Sequence, residues 1–423
     1  MTDRLFRPSP RILIAVALAA ATALSCVAMT AGRAQPVDGK TEAAPSEPAK
    51  PAPPAADVKT PDAPAAEQPE KPSAEQPSAE KPSADKPSAE KPWVTLAALP
   101  QPATDLAGVA VNGKLYLFGG LDGIRPTGLV LEYDAATDAW TKKKPMPVNL
   151  HRFAVAAYGD KIYLFGGFKY PDTRANAWQP VDTAWRYDPA SDEWTPLAAM
   201  PDKRGAASAV VVDGRIFVIG GATVQPGTRD IVIEPKRRHA ILGTVEEYDP
   251  KANSWRARTP LPTPRAEAAV ATVAGKIYVI GGRIASVFAE DGSETDVVEG
   301  YDPARDLWSR PLAKMPAPRA AMGVASWRNR VVLVGGETTD ARGAVSAADA
   351  VASYEPETNA WRALGALPAP RRGIASGLIG DRFYVAGGAA MPLPPAGPEN
   401  STRKIEAPAG RTTLEALQLD VLP

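Results

Sequence analysis

From residue 93 onward the apolar residues fall in short runs separated by polar turns, and one kind of run recurs six times with the same ending. NGKLYLFGG (112–120), GDKIYLFGG (159–167), DGRIFVIGG (213–221), AGKIYVIGG (274–282), RNRVVLVGG (328–336) and GDRFYVAGG (380–388) each read as a turn feeding a strand of β-branched and aromatic residues that stops on two glycines. The first glycines of these pairs lie 47, 54, 61, 54 and 52 residues apart, a period that assigns one supersecondary unit to each repeat. Five units continue to a tyrosine and, seven residues later, a tryptophan: Tyr133 and Trp140, Tyr187 and Trp194, Tyr248 and Trp255, Tyr301 and Trp308, Tyr354 and Trp361. The residues between, as in YDPASDEW, are turn formers, so each pair predicts a hairpin. Upstream of each glycine pair lies a run of small apolar residues such as AVAAY (154–158). Four strands per unit follow. If the units are arranged radially, the innermost strands meet at an axis with no room for large side chains, and the outer Tyr and Trp fill the widening wedge.

Double glycine, tyrosine and tryptophan recurring in phase resemble the Kelch repeat, a β-propeller module, over about residues 93 to 420. The resemblance implies an all-β, six-bladed propeller. The sixth unit departs from the pattern, because Leu417 stands where its tyrosine would be and no tryptophan follows. Trp93, 47 residues before Trp140, supplies the missing marker. The N-terminal strand is therefore expected to complete the last blade and close the ring, which removes exposed sheet edges.

Ahead of the repeats, residues 1–34 read as a signal peptide: Arg4, Arg7 and Arg11 precede 21 uncharged residues, and AGRA (31–34) offers a cleavage site. An uncleaved anchor or lipidation at Cys26 are the alternatives. All three place the domain outside the membrane, in the periplasm or secreted, with membrane contact only through such an anchor. Residues 35–92 are rich in Pro, Ala, Glu and Lys with no aromatic and read as a disordered linker. The propeller is assigned to 93–423.

Equal numbers of basic and acidic residues, 48 each, argue against nucleic acid as a partner. The only cysteine lies in the signal, so the domain carries no disulfide framework. Galactose oxidase, which shares Kelch repeats, needs two histidines, two tyrosines and a cysteine for its copper. With only His151, His239 and Cys26, this chain fails that test, and no cofactor or catalytic metal is expected, although carboxylates alone could hold calcium.

The chemistry is sought on the face that carries the variable connections. From double glycine to tyrosine these run 13, 20, 27, 19 and 18 residues, with 29 to Leu417 in the last unit. Four units enter their first strand through an arginine after a Pro-rich turn, Arg204, Arg265, Arg319 and Arg371, with Ala103 and Leu150 in the other two. Such repeating arginines are read as structural, each binding carbonyls or an acid of a neighbouring blade. Charges that break the repeat are better ligand contacts: Asp105, Arg152 and Glu267 two positions further on, Arg283 and Glu337 just after the double glycines. Solvated rim charges are the competing account of all five. The insertion at 222–244 holds Glu234 among Arg229, Lys236, Arg237, Arg238 and His239. Substrate adaptors with Kelch domains hold acidic motifs with axial arginines, so the resemblance implies an exported module recognising a protein or carbohydrate ligand. The stretch 318–339 also resembles N-acetylneuraminate epimerase, a Kelch mutarotase. That resemblance implies sugar epimerisation, with Glu234 or Glu337 as acid/base candidates.

Overall fold

The chain divides into two units, Met1–Ser83 and Ala84–Pro423. The computed structural model describes residues 92–422 apart from 123–124, 171–177, 225–239, 285–293, 341–344 and 391–409. Among the described residues six antiparallel sheets follow one another as the blades of a propeller, five of four strands and the first with a short fifth strand, Arg125–Pro126, beside its four. Their innermost strands are Thr104–Val111, Ala154–Tyr158, Ser208–Val212, Ala269–Val273, Gly323–Trp327 and Ala375–Ile379 for blades 1 to 6. These strands touch in succession, and the first touches the last. Blade 6 takes its outermost strand from the start of the domain: Trp93–Leu96 pairs antiparallel with Leu414–Gln418, Trp93 opposite Leu417. The ring closes as the tryptophan spacing predicts.

The double glycines are where one blade leans on the next. Their second N–H donates to a carbonyl at the entry of the following blade, as Gly167 to Arg204, Gly221 to Arg265, Gly282 to Arg319, Gly336 to Arg371 and Gly388 to Ala103. A Cβ on the first glycine would meet that same carbonyl, 2.2 Å away at Gly166 and Gly220. Any side chain there would force the blades apart.

Each hairpin tyrosine is buried, Tyr133 at 1% exposure and the other four at 0%, and packs on its own tryptophan at 4.8 to 5.0 Å between ring centroids. Its hydroxyl donates to Asp138, Asp192, Asn253, Asp306 or Asn359. The same side-chain oxygen accepts the N–H of Ala97, Lys144, Ala198, Thr259 or Ala313 in the preceding blade at 2.8 to 3.0 Å. The tryptophan Nε1 donates to the carbonyl of that same residue. Five junctions are clamped in this way. The junction of blades 5 and 6 is built differently, because Leu417 and Leu422 replace the tyrosine and its acceptor. Gly365, at the position equivalent to Ala97, has φ of 118° with open space beside it. A small cavity lined by Trp327, Val332, Leu364, Leu419 and Leu422 lies at this seam, which Trp327 spans with a 2.7 Å bond from Nε1 to Asp381.

Candidate functional site

The four repeating arginines are buried, exposed by 0 to 3%, and Arg204, Arg265 and Arg371 are among the largest wholly buried side chains. Arg204 pairs with Glu246, Arg265 with Glu299 at 2.6 Å and Arg371 with Glu415 at 2.6 Å. Each acid comes from the third strand of the blade that the arginine leads into, so the expectation of an acid from a neighbouring blade is corrected. Blade 5 has Ala352 at that place, and Arg319 donates instead to the carbonyls of Gly335 and Ala350, both at 2.9 Å. Where the arginine is replaced by Ala103 or Leu150, the facing residue is Leu131 or Trp185. Burial pushes all four guanidinium groups down, Arg265 to about 10, so they stay charged at neutral pH and need their partners.

Two residues beyond these arginines the backbone turns left-handed in every blade, at Asp105, Arg152, Ala206, Glu267, Ala321 and Gly373, with φ between 51° and 58°. The conformation is unfavourable for any residue with a Cβ. It is held by bonds that run from blade to blade around the axis: Asp105 N–H to the Gly373 carbonyl, Ala206 to Arg152, Glu267 to Ala206 and Ala321 to Glu267, at 2.6 to 3.1 Å. Gly373 is small because a Cβ there would lie 2.6 Å from the Asp105 carboxylate.

On this ring the charges that break the repeat come together. Arg152 Nη1 lies 2.6 Å from Glu267 Oε1, and its Nε lies 3.7 Å from Asp105. Arg283 bonds Glu267 through Nε at 3.0 Å, Glu294 through Nη1 at 2.8 Å, and Glu337 through Nη2. Arg372 reaches the other oxygen of Glu337 at 3.3 Å. All seven side chains are 2 to 7% exposed. They are not solvated rim charges but a buried network of four carboxylates and three guanidinium groups. All five charges singled out in the sequence belong to it. Glu294, which also accepts from Thr339 at 2.7 Å, and Arg372 were not anticipated. Glu234 and the basic residues around it lie outside the described residues.

The network separates two of its acids. Burial raises Glu267, and Arg152 and Arg283 do not offset it while Glu337 and Asp105 add to it. Glu337 feels the same burial, but Arg283, Arg372 and Arg152 together hold it below the usual glutamate range. Both Arg152 and Arg283 are held above their ordinary values despite burial, Arg152 chiefly by Glu267 and Arg283 chiefly by Glu337. Beside the network His151 is 1% exposed and its ring lies 4.2 Å from Trp178 and 5.8 Å from Phe168 between centroids. Burial, then the charge of Arg152, lowers its pKa well below the ordinary value, so it is neutral. Among the described residues no cluster of three or more His, Cys, Asp or Glu is arranged to hold a metal ion.

Comparison with known proteins bears on the repeat itself. Residues 86–221 match the KLHDC2/KLHL20/DRC7 Kelch-repeats domain, and 203–262 and 264–311 match the Kelch motif. This is a Kelch-repeat β-propeller protein. The Kelch chain is 28% identical to Kelch-like protein terF of Aspergillus terreus over 70% of its own length and 63% of the relative's. It is 28% identical to Kelch-like protein 35 of Mus musculus, over 69% and 44% of the two chains. With beta-scruin of Limulus polyphemus the identity is 26%, over 58% and 26%. The Kelch chain thus spans less than two thirds of the length of these relatives. The solved structure of YjhT superposes with a TM-score of 0.59 at 17% identity, covering 75% of this chain and 96% of that one, a likeness of fold.

Proposed function

We propose that this protein is an exported Kelch module that binds a protein or carbohydrate ligand at the mouth of the propeller axis, on the face with the long connections. The observation that carries the reading is the convergence of Asp105, Arg152, Glu267, Arg283 and Glu337, drawn from four blades, on one buried network. Burying so many charges costs stability that apolar residues at the same places would not. Three of them, Asp105, Arg152 and Glu267, also sit in an unfavourable backbone conformation. The repeat needs none of this, since Arg204, Arg265, Arg319 and Arg371 already meet its structural demand. Export is supported by the arginines and uncharged run at the N-terminus. Arrays of glycans and peptides probed with the purified protein test the reading: binding lost on replacing both Arg152 and Arg283 by alanine is expected, and binding unaffected by that change removes the axial mouth as the site.

A second reading, a sugar mutarotase or epimerase, is favoured by one feature. Glu267 and Glu337 share Arg283, yet one is pushed toward the protonated form and the other toward the ionised form, the arrangement that general acid and base catalysis needs. Exchange NMR on sugar anomers checks it. Acceleration by the unmodified protein that Glu267→Gln or Glu337→Gln abolishes would make it an enzyme.

A further inference from the structure

The axial network leaves two neutral polar groups without a hydrogen-bond partner among the described residues. Thr104, 4% exposed, and His151, 1% exposed, precede Asp105 and Arg152 at equivalent positions of blades 1 and 2. The Thr104 Oγ1 and both ring nitrogens of His151 are buried and make no hydrogen bond to the described residues. Buried polar atoms of this kind are completed by water or by a ligand. The residues that follow them, Asp105 and Arg152, approach each other only to 3.7 Å, longer than a hydrogen bond.

We infer that this flank of the mouth binds a neutral pyranose, with hydroxyls meeting Thr104, Asp105, His151 and Arg152 and the C–H face of the ring against Trp178. The inference rests on the axial reading above and names its ligand class. A neutral His151 and a threonine hydroxyl both donate and accept, which matches hydroxyl groups and not a fixed charge. The axial network itself holds four carboxylates against three guanidinium groups, so it carries no net positive charge to draw in an acidic peptide or acidic sugar. Trp178 is half-buried, and Tyr170, 45% exposed, meets it edge-on at 5.8 Å with Arg125 5.9 Å over the tyrosine ring. Apolar aromatic surface bordering hydroxyl-matching polar atoms is the complement of a sugar ring.

The test is saturation-transfer NMR on the full protein with four probes: methyl β-glucopyranoside, N-acetylglucosamine, N-acetylneuraminic acid and a glutamate-rich peptide. One or both neutral pyranoses should bind. Their binding should weaken at least tenfold in His151→Phe and in Thr104→Val, which keep shape and lose the polar atoms, and recover in part in His151→Gln. Should His151→Phe fail to fold, Thr104→Val carries the test. Neutral sugars that do not bind, or bind the variants equally well, overturn the inference. Binding of an acidic probe that Arg152→Ala abolishes and His151→Phe spares overturns the sugar class but leaves the axial reading standing. Sugar binding untouched by His151→Phe, Thr104→Val and Arg152→Ala alike sinks both.

Discussion

Arg265 and Arg283 lie in the same blade and are almost equally buried, yet they are held in different ways. Arg265 has one carboxylate, Glu299, from its own blade. Arg283 has three, Glu267, Glu294 and Glu337, contributed by two blades. The first arrangement is a fastening that the repeat uses three times and exchanges for an apolar pair in blades 1 and 2. The second occurs once and ties together residues that follow no repeat. Burial alone therefore does not distinguish a repeated fastening from a network that follows no repeat; the number and origin of the partners do.

Four measurements sharpen or break that contrast, all by denaturant unfolding. Arg283→Met takes a guanidinium from three buried carboxylates at once, leaving Glu294 without one among the described residues while Glu267 keeps Arg152 and Glu337 keeps Arg372, and should cost about 5 kcal/mol, whereas Arg265→Met strands one and should cost about 3 kcal/mol. A reversed order would mean that the axial network relaxes by taking up protons. Arg319, which holds only carbonyls, should cost about 2 kcal/mol when changed to Met, as for lost hydrogen bonds to a charged group. The double change Arg265→Leu with Glu299→Leu copies the apolar pairing of blades 1 and 2 and should return to within about 1 kcal/mol of the parent. A double variant as unstable as Arg265→Met would show that the arginine does more than satisfy its acid.

The smallest effect is one of pH. Glu337 is held below its ordinary value of 4.5, so the stability it contributes is present above that pH and is lost as pH falls through its folded value. Glu267 is raised above 4.5, so its contribution is present below that pH and is lost as pH rises through its folded value. Glu337→Gln should therefore flatten the loss of stability on acidification. Glu267→Gln should gain on the parent as pH climbs above about 4.5. Parallel pH profiles for the two variants would remove the asymmetry between these acids.

The fold was legible because its markers recur: glycine pairs, tyrosines and tryptophans declare the blades, and the spacing of Trp93 declares the closure. The axial charges were legible for the opposite reason, as interruptions of a register the repeat had already set. Arg372 escaped because it stands beside Arg371, whose role in the repeat absorbed the pair. Glu294 escaped because it lies in a connection with no repeat register to align. Thr104 and His151 carry no charge, and only their burial without partners distinguishes them. The charges were expected at a wet rim because a sequence shows which positions converge, not how closely neighbouring blades approach over them.

Closure by Trp93–Leu96 on Leu414–Gln418 also has a consequence in time. The strand that completes the ring is the first of the domain to be synthesised and must wait for the last. Joining ends about 320 residues apart in one step would cost about 5 kcal/mol in chain entropy, which successive assembly of the blades avoids by carrying the two ends toward each other. Until then the edge of Leu414–Gln418 is open, a row of backbone N–H and C=O groups that Trp93–Leu96 covers in the finished ring.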